Sequence, residues 1–393
     1  MGGVSMEWKE VTLGDLCEIS SSKRIFAKEY QSDGVPFYRG KEIIAKQKGN
    51  AISNELFISR NRYEEIKARY GVPQQRELLL TSVGTLGVPY VIKEEEFYFK
   101  DGNLTWFRHF NGLDVEYLYY WFLSPYGKNE INTKAIGSTQ KALTIDSLSK
   151  FDIKIPANLD DQRRIASILS SLDRKIELNN KINADLEEMA QAVFKNWFVD
   201  FEPFIPRKFV DSELGMIPEG WKVGLLGELC NFKRSKNLLT KNAIDEGVPV
   251  VAGGLEPSCY HNVANTGAPV ITVSGSGANA GFMRMYHVPV WASDCSFIDI
   301  SCENFYFVYC FLKVNSKLLK HAQTGAVQPH VKPSDIHDFE LVIPDKESIY
   351  EFQDKVKPFF DKIAAIQKEN SRLSTLRDTL LPRLMSGELE VPE

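Results

Sequence analysis

The sequence contains two ordered copies of one pattern, and this duplication constrains the fold more than any other feature. Trp8-Lys9 recurs as Trp221-Lys222, and Ile155-Pro156 recurs as Ile343-Pro344 at a shorter spacing along the chain. A pattern that recurs in order along a chain indicates a repeated structural unit. We therefore infer two related structural units. Further ordered matches link Gly34-Val35-Pro36 to Gly247-Val248-Pro249, Gly137 to Gly325, and Gln140 to Gln328.

The shorter spacing late in the chain indicates an insertion in the first copy, between about Phe37 and Tyr117. The charged segment Asn54 to Tyr70 is the candidate for it. A chain that duplicates a frame and varies its interior is suited to present two different recognition surfaces.

Each copy has the pattern of a mixed α/β unit, because runs rich in β-branched and aromatic residues alternate with apolar helical segments. The strands predicted in this way are Val88 to Ile92, Leu104 to Arg108, Phe151 to Ile155, Pro269 to Val273, Phe297 to Ile300 and Phe339 to Ile343. The short buried helices are Glu116 to Leu123 and Phe305 to Leu312.

A long heptad pattern follows each copy, as in coiled-coil helices. The first seam contains Ile165, Leu169, Leu172, Ile176, Asn179, Asn183, Leu186, Ala190, Val193 and Trp197. The second contains Phe352, Val356, Phe359, Ile363, Ile366, Asn370, Leu373 and Leu380. Arg377 interrupts the second seam, and Pro358 is expected to kink this helix or begin a new one, because proline lacks an amide donor.

The matched polar residues Asn183 and Asn370 predict that the two helices pair, since an asparagine in an apolar seam fixes register when it finds a partner. We expect an antiparallel pair related by a pseudo-two-fold axis that separates the two units. Thirty-five helical residues span roughly 50 Å, whereas major-groove faces recur about every 34 Å on one side of DNA. The helices would then act as a ruler between two DNA half-sites. The alternative is that each helix simply packs on its own domain.

The length of 393 residues also favours two domains over one. The fold class expected is α/β (α+β), with two similar domains and a pair of long antiparallel coiled-coil helices. No apolar run approaches the span of a membrane, and six cysteines without a Cys-x-x-Cys spacing fit reduced thiols in the cytoplasm. The predicted segments are 1–156 for the first domain, 157–200 for the first long helix, 201–218 for a linker, 219–344 for the second domain and 345–387 for the second long helix.

Several local motifs resemble one protein family. They are Leu80-Thr81-Ser82-Val83-Gly84-Thr85 in mid-domain, Trp197-Phe198-Val199-Asp200-Phe201-Glu202-Pro203-Phe204 at the centre, and Leu380-Leu381-Pro382-Arg383-Leu384-Met385-Ser386-Gly387 near the end. These motifs, and the plan of domain, helix, domain, helix, resemble the specificity subunits of type I restriction–modification enzymes over the whole chain.

The resemblance implies two target-recognition domains, each reading one half of an asymmetric bipartite DNA site. It also implies two modification (methyltransferase) subunits docked on the helices, with restriction and translocase subunits joining for cleavage. S-adenosylmethionine would bind the modification subunit, and ATP and Mg²⁺ the restriction subunit where one is present, so this chain would need no cofactor. A cytoplasmic coiled-coil scaffold without nucleic-acid binding is the alternative function.

The candidate DNA contacts are polar turns and basic residues, because glutamine can bond adenine, hydroxyls can bond base or phosphate, and lysine neutralises phosphate. The net charge of −5 requires any basic surface to be local or shared with partners. For the polar loops, the alternative is a merely solvated surface. The first copy contributes Lys23, Arg24, Arg39, Lys41, Thr81, Ser82, Gly84, Thr85, Ser138, Thr139, Gln140 and Lys141. The second contributes Lys233, Arg234, Lys236, Ser274, Ser276, Asn279, Thr324, Gln328 and His330.

Catalysis in this chain is not expected. Strand-like segments follow the glycine-rich turns, whereas a phosphate-binding loop leads into a helix. Six scattered histidines show no metal spacing, and no methylase, nuclease or serine-hydrolase motif is present. The aromatic residues Trp197, Phe198, Phe201 and Phe204 are candidates for docking the modification subunit, because aromatic side chains often anchor interfaces. A local core that joins helix to linker is the alternative for them.

Overall fold

The structure is a computed structural model, and it describes residues 6–137, 141–324 and 329–391. Contacts divide it into two compact units. Unit 1 comprises Met1–Glu177 and Ser371–Glu393, and unit 2 comprises Leu178–Asn370. These units differ from the predicted segments because each contains part of both long helices.

Unit 1 contains one small and two larger sheets. Its strands are β1 (Trp8–Thr12), β2 (Glu18–Ser20), β3 (Tyr30–Gln31), β4 (Val35–Tyr38), β5 (Leu56–Ile58), β6 (Leu78–Thr81), β7 (Pro89–Val91), β8 (Tyr98–Phe99), β9 (Leu104–Arg108) and β10 (Asp152–Pro156). Its helices are α1 (Leu13–Leu16), α2 (Gly40–Gln47), α3 (Arg60–Tyr70), α4 (Val115–Leu123), α5 (Pro125–Lys134), α6 (Ile145–Ser149), the start of α7 (Leu159–Phe198) and the end of α11 (Lys346–Ser386). The sheet orders are β1-β10, β2-β9-β6-β7 and β3-β5-β4-β8.

Unit 2 repeats this plan. Its strands are β11 (Phe209–Val210), β12 (Ile217–Pro218), β13 (Lys222–Leu225), β14 (Lys233–Arg234), β15 (Val248–Val251), β16 (Cys259–His261), β17 (Val270–Ser274), β18 (Met283–Tyr286), β19 (Trp291–Ala292), β20 (Cys295–Asp299) and β21 (Glu340–Ile343). Its helices are the end of α7, α8 (Phe305–Val314), α9 (Ser316–His321), α10 (Pro333–His337) and most of α11 (Lys346–Ser386). The orders β13-β21 and β14-β20-β17-β18 match those of unit 1, whereas the sheet β16-β15-β19 has three strands where its counterpart β3-β5-β4-β8 has four.

The predicted duplication is therefore confirmed in three dimensions. The predicted strands and buried helices correspond to β7, β9, β10, β17, β20, β21, α4 and α8, and Leu104–Arg108 matches to the residue. In unit 1, α2 and α3 occupy the interval of the predicted insertion, and no helix of that kind lies between β15 and β17, all of whose residues are described. The Ser59 side chain caps α3, and Tyr63 and Ile66 bury one face of the helix against the sheet.

The two long helices pair in an antiparallel manner, as predicted. In unit 1, Arg377 of α11 lies 2.7 Å from Asp173 of α7. In unit 2, the rings of Trp197 and Phe352 lie 6.2 Å apart. A later residue of α7 thus meets an earlier residue of α11, so the helices run in opposite directions and do not pack on their own domains alone.

The polar contact in the seam differs from the predicted one. Asn370 accepts a hydrogen bond from Asn179 (2.7 Å) and donates one to Asn180 (2.9 Å). Asn183, the predicted partner, has a buried side-chain oxygen with no hydrogen-bond partner among the described residues. The register of the pair places Asn370 beside Asn179 and Asn180, about one turn before Asn183 on α7. The predicted pairing of Asn183 with Asn370 was therefore wrong.

Pro358 does not begin a new helix, because α11 continues from Lys346 to Ser386 without a break. One amide donor is lost at the proline. The flanking side chains Val356 and Phe360 are buried in the core of unit 2, and this packing stabilises the helix through that point.

A glutamine on each long helix ties it to its domain. Gln162 of α7 accepts a hydrogen bond from the Asp114 amide (2.8 Å) at the start of α4. Gln353 of α11 accepts one from the Tyr306 amide (3.0 Å) in the first turn of α8. Both also donate to a nearby carbonyl. Because Gln162 is fully buried, these bonds fix the helix against the domain instead of serving a ligand.

The aromatic residues at the end of α7 form a local core. Phe198 and Phe204 are buried, and Phe204 lies 4.7 Å from the Trp221 ring. Trp197 and Phe201 are half-buried and touch the same core. The docking role predicted for Phe198 and Phe204 was wrong, because side chains buried in their own unit cannot meet a partner.

Among the described residues, no helix is long and apolar enough to cross a membrane.

Candidate nucleic-acid interface

In unit 1, described parts of four segments meet at one end of the central sheet, and we call residues 39–41, 82–85, 101–103, 136–137 and 141–142 the unit 1 loop cluster. Ala142 forms bridges with both Val83 and Ile136, which place it beside the mid-domain turn. The Ser82 amide donates to the Asn103 carbonyl (2.9 Å), and the Leu143 amide donates to the Ser82 carbonyl (2.9 Å). Two separate sequence motifs are thus brought to one surface.

The exposed members of this cluster suit contact with a phosphate backbone. Gly84 has a φ of +81°, and a Cβ at this position would have no heavy atom within 4 Å. The turn is therefore open, and a ligand can approach its backbone closely. Thr85 and Lys141 are exposed beside it.

Basic residues flank the unit 1 loop cluster. Arg24 lies 2.8 Å from Asp101, and Lys41 is exposed at the start of α2, where Gly40 approaches Thr81. Lys23 lies over the ring of Tyr70, 4.5 Å from its centroid. The guanidinium of Arg39 lies 2.7 Å from the Glu42 carboxylate, so the Arg39 side chain is engaged in an ion pair.

Unit 2 builds the same arrangement from different residues. We call residues 253–254, 274–279, 293–294, 324 and 329–331 the unit 2 loop cluster. His330 forms bridges with Ser276 and Thr324, as Ala142 does with Val83 and Ile136 in unit 1. The Gly275 amide donates to the Asp294 carbonyl (3.0 Å) and the Val331 amide to the Gly275 carbonyl (3.1 Å). The frame is retained while its side chains change.

The cations predicted in the second copy lie on the strand beside this cluster. Lys233 and Arg234 form β14 and are exposed, and so is Lys236. Ser235 ties this segment to Cys295 through two hydrogen bonds, of 2.9 and 3.0 Å. The three cations therefore border the turn at Asp294.

Several predicted contacts are structural instead. Thr81, Ser82 and Ser274 are buried, and the Thr81 hydroxyl accepts the Val88 amide at 2.9 Å. These side chains cannot reach DNA, so the prediction was wrong for them. The sequence pattern failed here because a polar residue at a strand end can serve either the turn or a ligand.

Two further side chains of unit 2 have internal partners. Ser276 donates a hydrogen bond to the Asp294 carboxylate, and Asn279 donates to the Gly253 carbonyl at 3.2 Å. Thr324 and His330 remain exposed. The predicted residues Ser138, Thr139, Gln140 and Gln328 lie outside the described residues.

Sequence reasoning missed two residues at the centre of the clusters. Asn103 in unit 1 and Asp294 in unit 2 each precede the first residue of a central strand and accept a hydrogen bond from the mid-domain turn. The only signal in the sequence was a polar residue before a predicted strand, which is too common to single out.

The described residues contain no candidate metal centre, and the Cys17 thiol is not activated. No group of three or more His, Cys, Asp or Glu side chains among them could hold a metal ion. Burial raises the pKa of the Cys17 thiol to about 12, so the nucleophilic thiolate is scarce at neutral pH.

Comparison with known proteins points to one family. The sequence profile of the type I restriction modification DNA specificity domain matches residues 6–188 and 218–375, one stretch in each half. The type I restriction enzyme MjaIX specificity subunit of Methanocaldococcus jannaschii is 28% identical over 422 residues, covering 100% of this chain and 96% of that protein. The HindI specificity subunit of Haemophilus influenzae is 28% identical over 337 residues, covering 63% and 71%.

A solved structure shares the fold. The crystal structure of a type I restriction–modification S subunit from M. genitalium matches with a TM-score of 0.60 at 18% identity, covering 97% of both chains. At this identity the likeness concerns the fold alone, including the two similar domains and the long helices.

Proposed function

The chain belongs to the type I restriction modification DNA specificity family, and from that premise we propose that it is the non-catalytic subunit that reads a bipartite DNA site. One observation carries the proposal. The same cluster of loops is built twice, once in each unit, with different exposed side chains, such as Lys141 in the first and His330 in the second. Two unlike surfaces on one frame suit two unlike half-sites.

The division of labour follows from the chemistry of the loops. Exposed cations such as Lys41 and Lys233 neutralise phosphates and position the protein, whereas polar side chains at the turns reach base edges in the major groove. Because the net charge is −5, this positive charge acts locally, and partner subunits supply further phosphate contacts.

The long helices set the gap between the half-sites. They contain 40 and 41 residues, and their side chains interlock through Asn370 and Arg377. A paired helix is stiff, so its length fixes the distance that the two readers span. The relatives are named as subunits of restriction enzymes, which supports assembly with further subunits. We assign the docking of the modification subunits to this helix pair.

The chemistry is assigned to the partners. S-adenosylmethionine would supply the methyl group on the modification subunit, and ATP and Mg²⁺ would serve a restriction subunit. This chain would bind and orient DNA. The six free cysteines fit the reducing cytoplasm in which such a complex would act.

The direct test is DNA binding by the complex of this chain with its modification subunits. A gel shift against a randomised duplex library is expected to select two short motifs at a fixed gap. Equal retention of all duplexes would favour the scaffold alternative. Exchange of residues 8–154 for the corresponding domain of a relative is expected to change one motif only, and a change in both would contradict the modular arrangement.

A residue-level test separates phosphate contact from base contact. Lys41→Ala combined with Lys141→Ala should weaken binding to all sequences and lower the salt slope by about two, since each phosphate contact contributes about one. Lys208→Ala is the matched control, because Lys208 is an exposed lysine with a carboxylate partner, as Lys41 is, but it belongs to neither loop cluster. An unchanged slope in the double variant would contradict the assignment of these lysines.

A further inference from the structure

Asp294 lies at the centre of the unit 2 loop cluster. Its carbonyl accepts a hydrogen bond from the Gly275 amide (3.0 Å), and the adjacent Ser293 amide donates to Val251 (2.7 Å). The end of β15, the end of β17 and the start of β20 therefore meet at this residue. The backbone at Asp294 is therefore fixed by hydrogen bonds among three strands, and not by a single loop.

Two glycines adjoin the Asp294 carboxylate. A Cβ at Gly253 would lie 3.8 Å from one carboxylate oxygen, and a Cβ at Gly275 would lie 3.6 Å from the other. A larger side chain at either glycine would crowd this position, because its Cβ would also lie 3.1 Å from a backbone oxygen. Asp294 is exposed, so a ligand on this surface reaches the carboxylate directly.

The backbone directs the side chain. Asp294 has a φ of +49°, in the left-handed region that aspartate and asparagine tolerate better than most residues. Asparagine can therefore replace it without a change of conformation, which makes a clean substitution available.

The carboxylate retains acceptor capacity. Among the described residues it accepts one hydrogen bond, from the Ser276 hydroxyl. An ionised carboxylate offers about four lone pairs and no donor. On a surface that faces DNA, phosphates repel this group, so its favourable partner is an amine on a base edge. In the major groove, the exocyclic amine of cytosine is the usual partner of an acidic side chain.

Unit 1 carries an amide at the same place. Asn103 precedes β9 as Asp294 precedes β20, and its carbonyl accepts the Ser82 amide (2.9 Å) as that of Asp294 accepts the Gly275 amide. An asparagine side chain can donate and accept together, which matches adenine. The equivalent hydrogen-bonded position thus carries a different side-chain chemistry in each half of the chain, although of these two residues Asp294 alone has a positive φ.

We propose that this position determines specificity in both half-sites, with Asp294 accepting a hydrogen bond from a cytosine amine and Asn103 pairing with an adenine. The inference rests on the proposed function. It adds one residue of each unit as a direct reader of a base.

The test uses the full complex with its modification subunits and a duplex library randomised over both half-sites. The wild-type complex must first select a bipartite motif, and failure at this step would count against the proposed function itself. Asp294→Asn is then expected to lose preference for cytosine at one position of the second half-site and to gain adenine there, by about tenfold or more. The first half-site should stay unchanged.

The reciprocal variant Asn103→Asp should shift one position of the first half-site from adenine to cytosine, and it provides the test if Asp294→Asn fails to fold. Asp245→Asn is the matched control, since Asp245 is also an exposed aspartate of unit 2 and its loss changes the charge equally. The control should leave the base preference at every position unchanged. A motif that is unchanged in Asp294→Asn and Asn103→Asp, or binding that these variants weaken evenly at all positions, would overturn the proposal while leaving the bipartite function intact.

Discussion

Replacement of Asp173 by alanine should destabilise unit 1 by far more than loss of an ordinary surface carboxylate. Asp173 on α7 accepts a hydrogen bond from the Tyr120 hydroxyl of α4 at 2.7 Å. It also lies 2.7 Å from Arg377 on α11. One carboxylate therefore joins the domain to both long helices.

The magnitude follows from what is left without a partner. Tyr120 is 3% exposed, and an unsatisfied buried hydroxyl costs about 1–3 kcal/mol. The Arg377 and Asp173 side chains are 30% and 31% exposed, so their ion pair adds at most about 1 kcal/mol. We expect Asp173→Ala to lower the free energy of unfolding by about 2–3 kcal/mol.

The assay is a double-mutant cycle with Tyr120→Phe, measured by denaturant unfolding. The coupling energy between the two positions should be about 1–2 kcal/mol, because they share one buried hydrogen bond. Asp146→Ala is the control, since Asp146 pairs with Lys150 at 2.8 Å but both side chains are largely exposed. If Asp173→Ala costs no more than this control, the tie between domain and helices is not the one described.

Two other outcomes follow from the helices and from the linker. Insertion of four residues into each long helix, at Asn179 and at Asn370, adds about 6 Å and should lengthen the selected gap by about two base pairs; an unchanged gap would exclude the ruler. Burial opposes ionisation of Asp345, but hydrogen bonds from Ser348, Arg207 and Trp221 lower its pKa to about 2. Its stabilising contribution is therefore present above pH 4 and lost as the pH falls towards 2, so the difference in unfolding free energy between wild type and Asp345→Asn should shrink from pH 5 to pH 2.5. A constant difference would contradict this origin of the shift.

Much of the architecture was accessible from the sequence because duplication and heptad periodicity are long-range signals. Matches such as Trp8-Lys9 with Trp221-Lys222 identified two units, and the seams identified the antiparallel helices. The register was not accessible at the level of single residues. Asn183 and Asn370 are equivalent in the repeat, yet the packing of the pair places Asn370 against Asn179.

The candidate site was predicted as a set of segments better than as a set of residues. Gly84 and Lys141 were predicted separately as DNA contacts, and the bridge between Val83 and Ala142 brings their segments together. Thr81 was misjudged because its hydroxyl serves the turn. Asp294 was missed because its role depends on tertiary hydrogen bonds that no local pattern encodes.

The central claim is that this chain determines which bipartite DNA site a methyltransferase complex recognises. Mapping methylated adenines across the genome of the source organism, with and without this chain, tests it most directly. The account predicts one bipartite motif of two unlike halves at a fixed gap, whose methylation disappears when the chain is absent. A methylation pattern that does not change would contradict it.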